Sequence, residues 1–143
     1  MWQISTRGFR FRNPILQAFL RQMLFFLLIL LAISFGGAMS VKGLSFAVVC
    51  FASFFIYDIC RKLNPYLHPA ALTYVHFWGF RKVFWLLVAL LLLSGLLSFS
   101  FVPWVFEGAV LVSLLLLFRE PKLYYIAELT ATISLFVHLL YPV

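Results

Sequence analysis

Acidic residues are scarce in this chain: Asp58, Glu107, Glu120 and Glu128 are the only four among 143 residues. So few carboxylates leave little material for an acid-built metal cage. Charged residues of both signs amount to 10% against 65% hydrophobic, which excludes an ordinary soluble domain. No long polar stretch is present either. The longest gap between apolar runs is 61–82, too short for a separate soluble domain. The two cysteines, Cys50 and Cys60, fall in one apolar run. On a helix they would stand roughly 15 Å apart, so they cannot bridge each other, and no metal-ligand spacing involves them. The spans lack polar stripes, paired interrupted helices and an internal repeat, which disfavours a transporter or channel. No nucleophile–base pair is evident, and Ser45, Ser94 and Ser98 read as small packing residues. Only His138 among the histidines lies in a span, which leaves no facing pair for haem. His68 and His76 are separated by Pro69, a poor frame for a metal pair.

What the chain does have is five apolar stretches, at 23–39, 44–60, 83–102, 104–118 and 123–141. A helix needs roughly 20 apolar residues to cross ~30 Å of hydrocarbon. Helices satisfy their own backbone in lipid, and continuous Leu/Phe runs do not alternate as barrel strands must. The expected fold is therefore all-α, an integral membrane bundle of about five transmembrane helices. The fourth span looks weakest, being short and carrying Glu107.

Ten of the eleven positive charges fall in every second gap, Lys42 being the exception. Arg7, Arg10, Arg12 and Arg21 precede or open the first span. Arg61, Lys62, Arg81 and Lys82 separate the second from the third, and Arg119 and Lys122 separate the fourth from the fifth. The positive-inside rule puts these gaps and the N-terminus in the cytoplasm and the C-terminus outside, with a bacterial inner membrane as the expected location. The net charge of +7 thus reads as topology, with some contacts to membrane lipids, and not as nucleic-acid binding.

Residues 1–20 form a basic, aromatic-rich cytoplasmic segment ahead of a transmembrane domain at 21–143. Its first apolar run starts too late and is too long for a cleavable signal. Ile15, Leu16, Phe19 and Leu20 recur at helical spacing behind Pro14, which predicts a short interfacial helix. A tight outer hairpin is expected at 40–43. Pro103 and Pro121 are expected to break the later turns. Gly36 and Gly37, beside Ala32, Ser34 and Ala38, form a small-residue face suited to packing on a neighbouring helix of another integral membrane chain.

The loop from Tyr57 to Gly79 concentrates the polar chemistry, and Ala70 to Trp78 could form a short surface helix. Asp58, Arg61 and Lys62 share one helix face. They read either as an ion pair closing the helix at the interface, or as an anion site with Arg61 and Lys62 on phosphate oxygens. Glu128 lies about one and a half turns into the last span. It reads either as an acid lining a cytoplasmic cavity near Arg61, Lys62 or Arg119, or as an interfacial partner of Lys122 or Arg119. Glu107 reads as an interfacial acid near the outer surface, and His138, near the outer end of its span, as an interfacial or packing histidine.

An acid, two residues, then Arg-Lys at a helix end, followed by Thr-Tyr and a Gly, resembles the second signature loop of UbiA-type membrane prenyltransferases. The matching residues are Asp58, Arg61, Lys62, Thr73, Tyr74 and Gly79. The segment Arg10 to Phe19, with Pro14 and Ala18, is similar to that family's lead into its fifth span. The resemblance implies that the chain corresponds to the last five spans of a nine-span enzyme. It implies a prenyl diphosphate site built from Asp58, Arg61, Lys62, Asn64, Thr73 and Tyr74, with Asp58 as a Mg2+ ligand. That family holds Mg2+ between two acidic loops, and the half carrying the first has no counterpart here. The expectation is a catalytically incomplete accessory or assembly subunit in a membrane complex. The alternative is one half of a split prenyltransferase, with Mg2+ as cofactor and a second chain supplying the missing acids.

Overall fold

Backbone N–H and C=O groups find no partners in lipid, so an apolar chain of this kind folds into helices that close their own hydrogen bonds. A computed structural model describes residues 14–36, 40–63, 74–98 and 101–140. They form α1 (Pro14–Phe35), α2 (Val41–Arg61), α3 (Tyr74–Trp78), α4 (Phe80–Leu97), α5 (Phe101–Arg119) and α6 (Tyr124–Leu140), with a 3-10 turn at Pro121–Leu123. The protein is all-α, a bundle of five long helices and one short one. α2, α4 and α5 are each long and apolar enough to cross a membrane, while the apolar parts of α1 and α6 (Phe19–Phe35 and Tyr124–Leu140) are shorter. The chain is an integral membrane protein.

Local chemistry sets the helix ends. Pro14 opens α1, where its missing N–H goes unneeded. Residues 15–20 continue without a break into the first apolar run, because no Pro or Gly interrupts 15–35; residues 1–13 lie outside the described residues. Ser40 caps α2, its side chain accepting from the Gly43 N–H at 3.2 Å. Lys42 and Gly43 therefore belong to the first turn of α2. The surface helix expected over 70–78 is observed at Tyr74–Trp78, with 70–73 outside the described residues. Gly79 then turns the chain into α4 at φ 75, a left-handed conformation that disfavours side chains. Pro103 does not separate two helices but lies in the first turn of α5, where proline is tolerated. The fourth span is thus longer than expected and is the most apolar of the three spanning helices.

α6 packs between α2 and α5, α2 also packs on α4, and α1 joins through α2. The core gathers small and branched side chains, among them Ala52, Ile59, Val83, Leu87, Val110, Leu114, Ala127 and Ala131. Cys50 and Cys60 are buried in it as free thiols. Rings fasten the periphery. Phe25 stacks on Phe54 with centroids 5.7 Å apart, and Phe26 meets Phe51 edge-on at 5.5 Å, tying α1 to α2. Phe118 of α5 receives both Phe80 and Phe84 of α4 at 4.7 Å. Offset and edge-to-face pairs of this kind add about 0.5–1.5 kcal/mol beyond area burial. Leu24, Leu28, Leu92, Leu96, Phe136 and Leu140 stay exposed, as side chains facing hydrocarbon do.

Gly79→Ala should destabilise the protein by about 1–2 kcal/mol, because alanine must adopt a left-handed conformation there. Thermal unfolding in detergent measures it, and an unchanged midpoint contradicts the assignment.

Candidate functional site

Two polar clusters stand at opposite ends of the bundle. One is at the end carrying Arg61, Arg81 and Arg119. There Asp58 Oδ2 accepts from Lys62 Nζ at 2.6 Å, one helical turn on, and from the Tyr74 hydroxyl at 3.0 Å. Lys62 Nζ also lies 5.0 Å from the Tyr74 ring centroid, within cation–π range. Tyr74 is buried, and its ring meets Phe55 edge-on at 6.1 Å. Burial pushes the Tyr74 phenol up, the Asp58 charge and hydrogen bond add to the effect, and the Arg21 guanidinium of α1 opposes it. The structure thus brings Asp58, Lys62 and Tyr74 together and adds Arg21. It leaves Arg61 exposed. Asn64, Thr73 and Gly37 lie outside the described residues.

The Mg2+ that the resemblance implies needs oxygen ligands, usually one or two carboxylates with phosphates and waters. Asp58 offers one carboxylate, whose Oδ2 already serves an ammonium and a phenol. Among the described residues no group of three or more His, Cys, Asp or Glu converges. These residues do not fit a Mg2+ site.

Glu128 is half-buried and faces the α2 side of the bundle, within electrostatic reach of Cys60. Among the described residues its carboxylate makes no ion pair with Arg61, Lys122 or Arg119. Thr132 bonds the Glu128 carbonyl at 2.7 Å and leaves the carboxylate alone. Gly36 ends α1 exposed, and an added Cβ would meet only the carbonyls of Ala32 and Ile33. Within the described chain that face packs on nothing.

The second cluster overturns the interfacial reading of Glu107 and takes the packing alternative for His138. Glu107 and His138 are not interfacial but buried, at 6% and 2% exposure. Ser94 is more than a packing residue. His138 Nε2 lies 3.1 Å from Glu107 Oε1 and 3.2 Å from Ser94 Oγ, joining α6 to α5 and α4. Nδ1 lies 2.7 Å from the Ser134 carbonyl oxygen, which only accepts, so Nδ1 carries a proton. A bond between Nε2 and Oε1 then requires one further proton, on the imidazole or on the carboxyl.

Ser94 and His138 resemble a nucleophile and its base, but Ser94 has no exposed surface. The carboxylate approaches Nε2, the nitrogen a serine would need, and not Nδ1 as in a serine triad. The arrangement ties three helices together and lacks the order of an acyl-transfer triad. Gly95 makes it fit: a Cβ there would stand 2.8 Å from Glu107 Oε2. Sequence separation hid the cluster, since Ser94 and His138 are 44 positions apart. One signal was available: two polar residues near the same end of consecutive antiparallel helices.

Removing one member of a buried pair strands the other. His138→Leu should destabilise by on the order of 3 kcal/mol, and the double change Glu107→Leu with His138→Leu by clearly less. Unfolding midpoints in detergent test this, and additive losses contradict it. At the other end, a raised Tyr74 phenol stabilises the fold fully below the unfolded value of about 10 and progressively less as pH rises beyond it. Tyr74→Phe should therefore flatten the alkaline fall in stability, as read by unfolding between pH 9 and about 11.

No family model, curated protein or solved structure matches this chain, so both clusters are read from their own chemistry.

Proposed function

We propose that this chain is an accessory or assembly subunit of a membrane complex. It resembles half of a UbiA-type prenyltransferase and does not carry out prenyl transfer by itself. Its place is a bacterial inner membrane, with the N-terminus and the 61–82 loop cytoplasmic and the C-terminus outside. The observation behind this reading is the state of Asp58. The residue that the resemblance assigns to Mg2+ is held by Lys62 at 2.6 Å and Tyr74 at 3.0 Å. That closed set of contacts favours a structural acid that fixes α3 against the end of α2. The exposed flank of α1, with Leu24, Leu28, Leu31 and Phe35 ending at Gly36, supports docking on another membrane chain.

The test is purification of the full chain from its own membranes in mild detergent, followed by native mass spectrometry. A stoichiometric complex with another integral membrane chain is expected. Asp58→Asn should retain it and Gly36→Leu should weaken it. A prenyl-lipid adduct, together with prenyl transfer that Asp58→Asn abolishes, overturns this reading in favour of the split enzyme.

A further inference from the structure

α4 and α5 run antiparallel, and a stripe of side chains on each borders the furrow between them. On α4, Arg81, Trp85, Val88 and Leu92 recur at helical spacing and share one face. On α5, Trp104, Gly108, Leu111, Leu115 and Arg119 do the same. Both stripes are exposed except at Val88 and Leu111, which are half-buried, so no described helix covers the furrow. One end is marked by Phe118, whose ring meets Phe80 and Phe84 at 4.7 Å. Arg119 follows Phe118 in sequence, and Arg81 follows Phe80, so both arginines stand at this end. Further along, a pocket of about 140 Å³ is lined by Val88 and Leu92 of one stripe and by Trp104, Gly108 and Leu111 of the other. Its lining is apolar or aromatic apart from Glu107, whose Oε1 is bonded to His138.

Charge selects the occupant. Arg81, Lys82 and Arg119 are exposed, and among the described residues none of them is in an ion pair. Of the acids at this end, Asp58 is already held by Lys62, and Glu128 faces α2. Only Glu120, beside Arg119, is left to oppose three cations. A guanidinium forks onto phosphate oxygens, and basic recesses between membrane helices suit phosphate head groups. Depth selects the rest. Val88 and Leu111 open the pocket about 10–12 Å from the arginines along the helices, inside one leaflet of the ~30 Å hydrocarbon. A phosphate alone would leave the pocket empty, whereas a lipid anchored at the arginines lays a chain past Trp85 and Leu115 into it. A choline head group would bring a cation against the same arginines.

We infer that this furrow binds one anionic glycerophospholipid, with its phosphate at Arg81 and Arg119 and one acyl chain in the pocket between α4 and α5. Gly108 keeps the pocket open, since it carries no side chain on the lining and an added Cβ would meet nothing within 4 Å.

The experiment is native mass spectrometry of the purified full chain in non-ionic detergent. The probes are dioleoylphosphatidylglycerol and dioleoylphosphatidylcholine, which share their tails. Expected is one phosphatidylglycerol bound per chain, at least about tenfold tighter than phosphatidylcholine. Arg81→Gln combined with Arg119→Gln should erase that preference. Lys42→Gln, which removes an exposed charge at the opposite end, should leave it intact. Gly108→Leu tests the tail separately, because its side chain has room to fold and occupies the pocket. It should weaken the dioleoyl lipid at least about fivefold and leave dihexanoylphosphatidylglycerol, whose chains stop short of the pocket, unaffected. Equal affinity for the two head groups, a preference that survives loss of both arginines, or unchanged dioleoyl binding in Gly108→Leu overturns the proposal.

Discussion

The hydrogen bond between Glu107 and His138 is the contact on which the arrangement of α4, α5 and α6 depends. In water, apolar faces drive helices together and their shapes set the register. In hydrocarbon the lipid tails are as apolar as leucine, so that drive is absent and a leucine-rich surface can slide with little penalty. A buried carboxyl bonded to a buried imidazole cannot slide. Separating the two leaves unpaired polar groups in a medium with no replacement partner. The Ser113–Thr130 contact at 3.0 Å repeats the constraint further along the same antiparallel pair, and both hydroxyls also reach carbonyls of their own helices. Two polar contacts on one helix pair fix both its offset and its rotation.

Small residues make the close approach possible. Gly95 lets the Glu107 carboxylate lie against the backbone of α4, and Ser94 beside it supplies a hydroxyl of the right reach. At the opposite end the rings of Phe80, Phe84 and Phe118 keep α4 and α5 together with no polar contact. The pair of helices is therefore pinned by hydrogen bonds at one end and wedged by aromatic packing at the other. Among the described residues α1 has neither device apart from two phenylalanine pairs with α2, and much of its apolar surface is uncovered.

The helices were largely legible in the sequence because the membrane permits few alternatives. Five apolar runs became five long helices, with ends displaced by a few residues where local chemistry overruled hydropathy. Ser40 advanced the start of α2, and Gly36 ended α1 before the apolar run itself ended. Pro103 misled in an instructive way. Taken as a break, it put the start of the fourth span at Trp104 and Glu107 almost at the interface. As a first-turn proline it lets α5 begin at Phe101, so Glu107 lies roughly 9 Å along the helix. Asp58 and Lys62 were legible from their four-residue spacing. Tyr74 was legible as a motif residue but not as their partner, because no periodicity connects the end of α2 with a short helix beyond the loop. Ser94, Glu107 and His138 sit on three helices, and only the packing of the bundle brings them together.

The two clusters differ in what their carboxylates still have to offer. Asp58 uses one oxygen to hold an ammonium and a phenol at the edge of the bundle, where Lys62 and Asp58 are both partly exposed. Water can serve whatever remains, so nothing about Asp58 calls for a ligand. Glu107 is buried, with one oxygen bonded to His138 and the other lying against α4 at Gly95. A larger residue at Gly95 would displace that oxygen. The sequence resemblance points to the acid at the rim of the bundle, while the acid that ties three helices together belongs to no motif.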